Sequence, residues 1–390
     1  MRKIIGLAIG LAIAMTTAAH AQVSLDAAHP TAIADILNWR GEKQAKGFRD
    51  IEHIFKTNTV KRGAKVHRLP VAAKPIAPTF TYDGKTWTID AYMQAYRVSG
   101  LLVLKDGKIV LEKYALGRKP TDRWTSFSVA KSVTSTLVGA AIQDGKIRSI
   151  DDPVTRYVPE LKGSAYEGVT VRQMLMMSSG VKWNENYTDP NSDVAKAGGS
   201  VTEPGINPMV SYLRKLPRAN PPGTKWNYNT GETDLVGVLI SKATGEGLAQ
   251  YASEKIWKPY GMERDAVWMT DPGGQERGGT GISMTLRDYA RLGLFIAGGG
   301  VAHGKKVVPN WWVADATKRE IDNGLGGYGY FWWIRPNGAY EAVGIFGQSI
   351  TTFPNEHLII VQNAAWPAAG GKELSAARNA MLEGVRAAVK

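Results

Sequence analysis

The apolar pattern of this chain changes period twice, and that most limits what it can fold into. Gly100 to Tyr114 alternates like two strands around Asp106-Gly107, a strong two-residue hairpin signal. Thr79 to Asp90 carries a smaller hairpin pattern around Asp83-Gly84. Near the other end, Tyr328 to Ile334, Tyr340 to Phe346, Gln348 to Phe353 and Leu358 to Asn363 read as strands. Between these ends the spacing is helical. Hairpins pair antiparallel, so both ends of the chain can build one antiparallel sheet. The expected architecture is an α/β (α+β) fold: that sheet flanked by terminal helices, with a helical domain inserted.

The helices have start and stop signals. Ser128 opens an apolar helix that closes at Asp144-Gly145. Thr170 caps a short one that ends before Gly180, and Glu232 to Ala243 runs up to Gly245. Leu248 to Trp257, Thr285 to Ala297 and Lys372 to Val389 complete the set, with Thr31 to Trp39 and Asp90 to Val98 as shorter candidates, the latter capped by Asp90. Residues 182–224 are polar and rich in Asn, Pro and Gly, and read as a long loop. Lys56 to Lys74 reads as a basic surface arm.

The N-terminus has the form of a secretory signal: Arg2 and Lys3, an apolar stretch Ile4 to Met15, and Ala19-His20-Ala21 before Gln22. The expected division is a signal peptide over 1–21, an N-terminal arm over 22–78 and a catalytic domain over 79–390. Its sheet part takes about 79–145 and 300–390, and its helical part about 146–299. The expected location is periplasmic or secreted, with cleavage after Ala21 and no stable membrane insertion afterwards. Cysteine is absent, which excludes disulfides and thiolate metal sites, so an exported chain must stand on its core. An apolar fraction of 44% supports such a core. The net charge of +13 is scattered with no basic block, so a solvated surface is expected and no nucleic-acid partner.

Chemistry enters at Ser128 and Lys131. Three residues apart on a helix, they share a face. A buried lysine can lose its proton and take one from a serine, which makes Ser128 a candidate nucleophile and Lys131 its base. Spacing alone does not distinguish this pair from an ordinary serine and lysine. Ser179 and Lys182 have the same spacing, but Gly180 lies between them at a helix end. Two further stretches add weight. Pro221-Pro222-Gly223 leads to Tyr228 on a rigid loop, where a phenol could pass a proton, though a packing tyrosine would look the same. Val343 to Ser349 puts glycines in a late strand, as close approach to a ligand or a simple bulge would. No Gly-x-Ser-x-Gly elbow, His-Glu-x-x-His or metal-ligand spacing occurs, and neither cofactor nor metal is implied.

Taken together these stretches resemble the serine β-lactamase-like superfamily. The resemblance is to its class C and penicillin-binding esterase branch, and most to 6-aminohexanoate-dimer (nylon oligomer) hydrolases. Ser126-Phe127-Ser128-Val129-Ala130-Lys131-Ser132, Asp151-Asp152-Pro153-Val154, Val169 to Gly180 and Gly281 to Thr285 carry it across about residues 95–370. The resemblance implies acyl transfer through a serine ester, with Ser128, Lys131 and Tyr228 in the catalytic positions. It places Ile345, Gly347 and Gln348 at the substrate and oxyanion side, and Tyr187 in the site. The chain departs from the family twice. Tyr228-Asn229-Thr230 stands for the usual Tyr-x-Asn, and Ile345-Phe346-Gly347 for Lys-Thr-Gly or His-x-Gly. The missing cation argues against an efficient β-lactamase. The expected function is an exported esterase or amidase acting on a small-molecule ester or amide. A non-hydrolytic penicillin-binding or sensor-type domain, a weak β-lactamase or D-alanyl peptidase, and an envelope adaptor with a dead site remain open.

Overall fold

The computed structural model describes residues 33–197 and 203–390; the signal-peptide reading lies outside them. The main sheet has six antiparallel strands. In spatial order they are Trp333–Ile334, Tyr340–Gly344, Gln348–Phe353, Leu358–Ala364, Val98–Lys105 and Lys108–Tyr114. The two ends of the chain meet where Leu358 pairs Lys105 and Val361 pairs Leu102, so the central seam joins the last strand to the early hairpin. Alternate side chains fall into different cores. Leu102, Leu104, Ile350, Ile359 and Val361 face the helical part. Leu101, Val103, Phe353, Leu358 and Ile360 face the other core, which they share with the helices Ile89–Ala95, Lys372–Ala388 and Gly41–Arg49.

The helix Val129–Gln143 runs through the middle of the larger core, with every residue from Val129 to Ala141 buried. A helix buried all round needs small or self-satisfied polar residues on its crowded faces. Gly139 lies against the Trp312 ring, where a Cβ would stand 2.6 Å from an indole carbon. Ser132 donates to Phe331 O at 2.7 Å and Thr134 to Gly278 O at 2.8 Å. Thr170 closes a capping box with Gln173, and Gly245 caps Thr230–Thr244 in the left-handed region.

Several readings are corrected. The arm expected over 22–78 is, in its described part, built into the fold. Phe48 is fully buried and its ring meets those of Phe127 at 5.0 Å, Phe346 at 5.6 Å and Trp124 at 5.8 Å. Residues 70–76 bond Ile109 and Val110, covering the open edge of the hairpin. Thr57–Val60 joins a second sheet of four short strands with Ala266–Met269, Ile282–Met284 and Trp124–Thr125. Strands of two to four residues are too short to show a period, which is why the pattern missed them. Thr88, not Asp90, caps the helix Ile89–Ala95. Of Tyr328 to Ile334, only Trp333–Ile334 is strand, because Phe331 turns the chain at φ 60°. The long loop contains two short helices, Asp193–Lys196 and Pro208–Leu213, capped by Ser192 and Asn207.

Phe48→Ala removes the ring around which the other three aromatics pack. It should lower stability by about 3–5 kcal/mol in urea denaturation, as Phe-to-Ala changes in well-packed cores do. An unchanged midpoint would mean that the N-terminal helix is not part of the core.

Candidate active site

The short strand Trp124–Thr125 delivers the chain directly to Ser128. Ser126 N–H is tied to Ile282 O at 2.9 Å, and Phe127 then takes φ 45°, a left-handed conformation that is costly for a bulky residue. The Phe48–Phe127–Phe346 ring cluster holds it there. The turn swings Ser128 to the head of the buried helix, where the N–H groups of Val129, Ala130 and Lys131 bond back to the carbonyls of Ser126, Phe127 and Ser128.

Ser128 lies on the wall of a cavity of about 530 Å³. Phe127, Trp183, Met209, Met269, Ile345 and Phe346 give it a largely apolar lining. Lys131 Nζ lies 3.0 Å from Ser128 Oγ, 3.0 Å from Thr230 Oγ1 and 2.8 Å from Gly279 O. Burial pulls the Lys131 amine down to about 8, against the opposing pull of Glu185 and Asp234. An amine with that pKa has a neutral fraction near neutral pH and can accept a proton. The Tyr228 phenol forms a hydrogen bond with Ser128, and its ring lies 5.0 Å from Lys131 Nζ. Burial first, and then Glu185, push the phenol well above its ordinary range, so it stays protonated. Trp226, Tyr328 and Trp333 hold its ring. The structure therefore brings Ser128, Lys131 and Tyr228 together.

The decoy pair separates as expected from the glycine between its members. Ser179 is buried and donates to Glu232, while Lys182 is exposed.

The oxyanion-side residues divide. Ile345 and Tyr187 line the cavity. Gly347 and Gln348 do not. Gln348 is 0% exposed, and its amide is spent on Trp124 Nε1 at 3.0 Å and on Ala364 N and O at 3.1 and 2.8 Å. Gly347 sits under the Trp366 indole, 2.6 Å from where a Cβ would stand. The close approach to Ser128 belongs to Gly344 instead. A Cβ there would lie 2.3 Å from Ser126 O and 3.0 Å from Ser128 N. The strand thus presses edge-on against the Ser128 turn three residues earlier than the motif alignment implied, and the next N–H is that of Ile345.

Sequence reasoning missed three parts of the site. Glu185 gathers Trp183, Tyr187 and Thr230 behind Lys131. Arg277 and Asp234 line the cavity with a guanidinium–carboxylate separation of 3.9 Å. Ile36 and Leu37 wall it from a segment read as lying outside the catalytic domain. Thr230 carried a usable signal, since it occupies the third position of the Tyr-x-Asn motif.

The Beta-lactamase family profile matches residues 88–381. The 6-aminohexanoate-dimer hydrolase of Paenarthrobacter ureafaciens is 34% identical over 283 residues, 68% of this chain and 72% of that protein. Among solved structures, a Bacillus anthracis protein designated a candidate 6-aminohexanoate-dimer hydrolase superposes with a TM-score of 0.76 at 22% identity. That match covers 87% of this chain and 92% of the other. A family VIII carboxylesterase superposes with a TM-score of 0.58 at 16% identity over 76% and 96%. At these identities the structural matches establish the fold.

Gly344→Ala forces a methyl group into Ser126 O and the Ser128 N–H. Ester hydrolysis should fall by about a hundredfold or more, as for comparable misplacement of a reacting group. Gly347→Ala, which strikes Trp366 instead, should act mainly on the melting temperature. If Gly344→Ala keeps full activity, the close approach has no part in the site.

Proposed function

This chain belongs to the β-lactamase family and is a serine hydrolase acting on amide or ester bonds; within that class, we propose that it is exported and works through an acyl-enzyme on Ser128. We propose further that its substrates are short linear amides or esters with aliphatic arms, of the 6-aminohexanoate-oligomer kind. The observation that carries this reading is the 3.0 Å approach of the buried Lys131 amine to the Ser128 hydroxyl, at the wall of an apolar cavity.

In the proposed reaction neutral Lys131 takes the proton of Ser128 Oγ as that oxygen bonds to the substrate carbonyl carbon. The carbonyl electron pair moves onto oxygen and meets the N–H groups of Ser128 and Ile345. The proton then passes through Tyr228 to the leaving nitrogen or oxygen as its bond to carbon breaks. Water repeats the sequence in reverse, frees the acid and restores Ser128. The apolar walls suit unbranched methylene chains. The residues two before Gly347 and Gly344 are Ile345 and Ala342, so no cation stands at either position to hold a β-lactam carboxylate.

Ser128→Ala should lower kcat/KM for p-nitrophenyl butyrate and for the linear 6-aminohexanoate dimer by on the order of a thousandfold or more. A chromogenic cephalosporin should turn over poorly. Full activity in that variant would overturn the proposal, and a wild-type adduct on Ser128 that never clears would favour a binding or sensor domain. Because the base must be neutral, kcat/KM should rise with pH and level off above about 8, the value to which burial brings Lys131. A flat profile between pH 6 and 9 would exclude Lys131 as the base. Export is supported by Arg2, Lys3, the apolar stretch to Met15 and Ala19-His20-Ala21. The exported chain should begin at Gln22, and an uncut chain retained in the cytoplasm would overturn this.

A further inference from the structure

The contacts of Lys131 do more than bury it. Its nitrogen meets three oxygens: Ser128 Oγ, Thr230 Oγ1 and Gly279 O. A neutral amine has two hydrogens and one lone pair to divide among them. Gly279 O is a carbonyl and can only accept, so it takes one hydrogen. Thr230 is ambiguous by itself, because a hydroxyl can donate or accept and its hydrogen can rotate. Were Thr230 to donate to Lys131, it would occupy the lone pair that the reaction needs.

Glu185 removes that ambiguity. Its Oε1 makes a close contact with Thr230 Oγ1, and its Oε2 accepts the Thr230 backbone N–H at 3.0 Å. The same carboxylate accepts the Tyr187 phenol at 2.7 Å and the Trp183 indole N–H. Four donors converge on two oxygens, which suits a group that only accepts. The Thr230 hydrogen therefore goes to Glu185, and Thr230 is left to accept from Lys131. With both amine hydrogens committed to Thr230 and Gly279, the remaining tetrahedral direction faces Ser128.

We propose that Glu185 is a positioning residue which, by holding the Thr230 hydroxyl as a donor to itself, turns the lone pair of Lys131 onto Ser128. The proposal rests on the reading of Lys131 as base. It also explains a departure from the family motif. The usual asparagine at the position of Thr230 brings a fixed amide, whereas a hydroxyl needs a partner to set its rotor.

The test is a double-mutant cycle on the full chain, with kcat/KM for p-nitrophenyl butyrate measured across pH. Thr230→Val and Glu185→Gln should each lower the plateau by about ten- to a hundredfold. If Glu185 acts through Thr230, the double variant should be no worse than Thr230→Val alone within about twofold. Thr230→Ser keeps the hydroxyl and should recover most of the activity lost in Thr230→Val. The charged groups facing Lys131 are Glu185 and Asp234, with Arg277 beyond Asp234. Glu185→Gln removes one anion, so the rising limb of the pH profile should move to lower pH; a purely structural loss would leave it in place. Tyr187→Phe, which removes a different donor to Glu185, should not reproduce this pattern. Multiplicative losses in the double variant, or Glu185→Gln activity within about threefold of wild type, would overturn the inference. Should Glu185→Gln fail to fold, equal activity of Thr230→Val and Thr230→Ser would overturn it. Fluorophosphonate labelling separates the two levels of the argument. A Ser128→Ala chain that still labels sinks the acyl-enzyme reading, whereas wild-type kinetics in Glu185→Gln with Ser128 still labelled sinks only this one.

Discussion

Everything in this molecule depends on an amine held away from water. Lys131 is 1% exposed on a helix buried on every side from Val129 to Ala141, and such burial is tolerated because three oxygens surround its nitrogen. Burial weakens its hold on a proton, and the oxygens give the amine a direction. Neither effect would exist on a surface helix, where water would solvate the ammonium and the side chain would sample many rotamers.

That environment is assembled from distant parts of the chain. Thr230 heads a second buried helix, Gly279 lies on the loop before Ile282–Met284, and Glu185 belongs to the polar loop that precedes the Thr230 helix. The sheet built from both chain ends brings Gly344 against the Ser128 turn from the other side. Two phenylalanines, Phe127 and Phe346, take left-handed backbone conformations on either side of this meeting point, with rings 5.3 Å apart. Ring packing with Phe48 stabilises conformations that local preference disfavours. The N-terminal segment thus supports the backbone that leads into Ser128, and through Ile36 and Leu37 it also walls the cavity.

What could be seen in the sequence follows a physical line. The hairpin at Asp106-Gly107, the Thr170 cap and the Gly245 stop are local signals, and each stands where it was read. The long strands and the Ser128 helix were visible because their period repeats often enough to register. The second sheet was not, because its pieces are two to four residues long and are held by pairing rather than pattern. Within the site, Ser128, Lys131 and Tyr228 were legible as residue types in a motif order. Gln348 and Gly347 show what a motif leaves open: letters aligned to a family pattern do not say which residues of a strand end line the cavity beside Ser128.

The sequence by itself determined the antiparallel sheet from both chain ends, the inserted helices and the pairing of Ser128 with Lys131, since period, caps and helical spacing are local properties. Only the tertiary structure decided which of two identical spacings is buried at a cavity and which glycine presses on the Ser128 turn. It alone placed Glu185 behind Thr230. Those outcomes turn on desolvation and on contacts between segments up to hundreds of residues apart. Neither is a property of any one stretch of the chain.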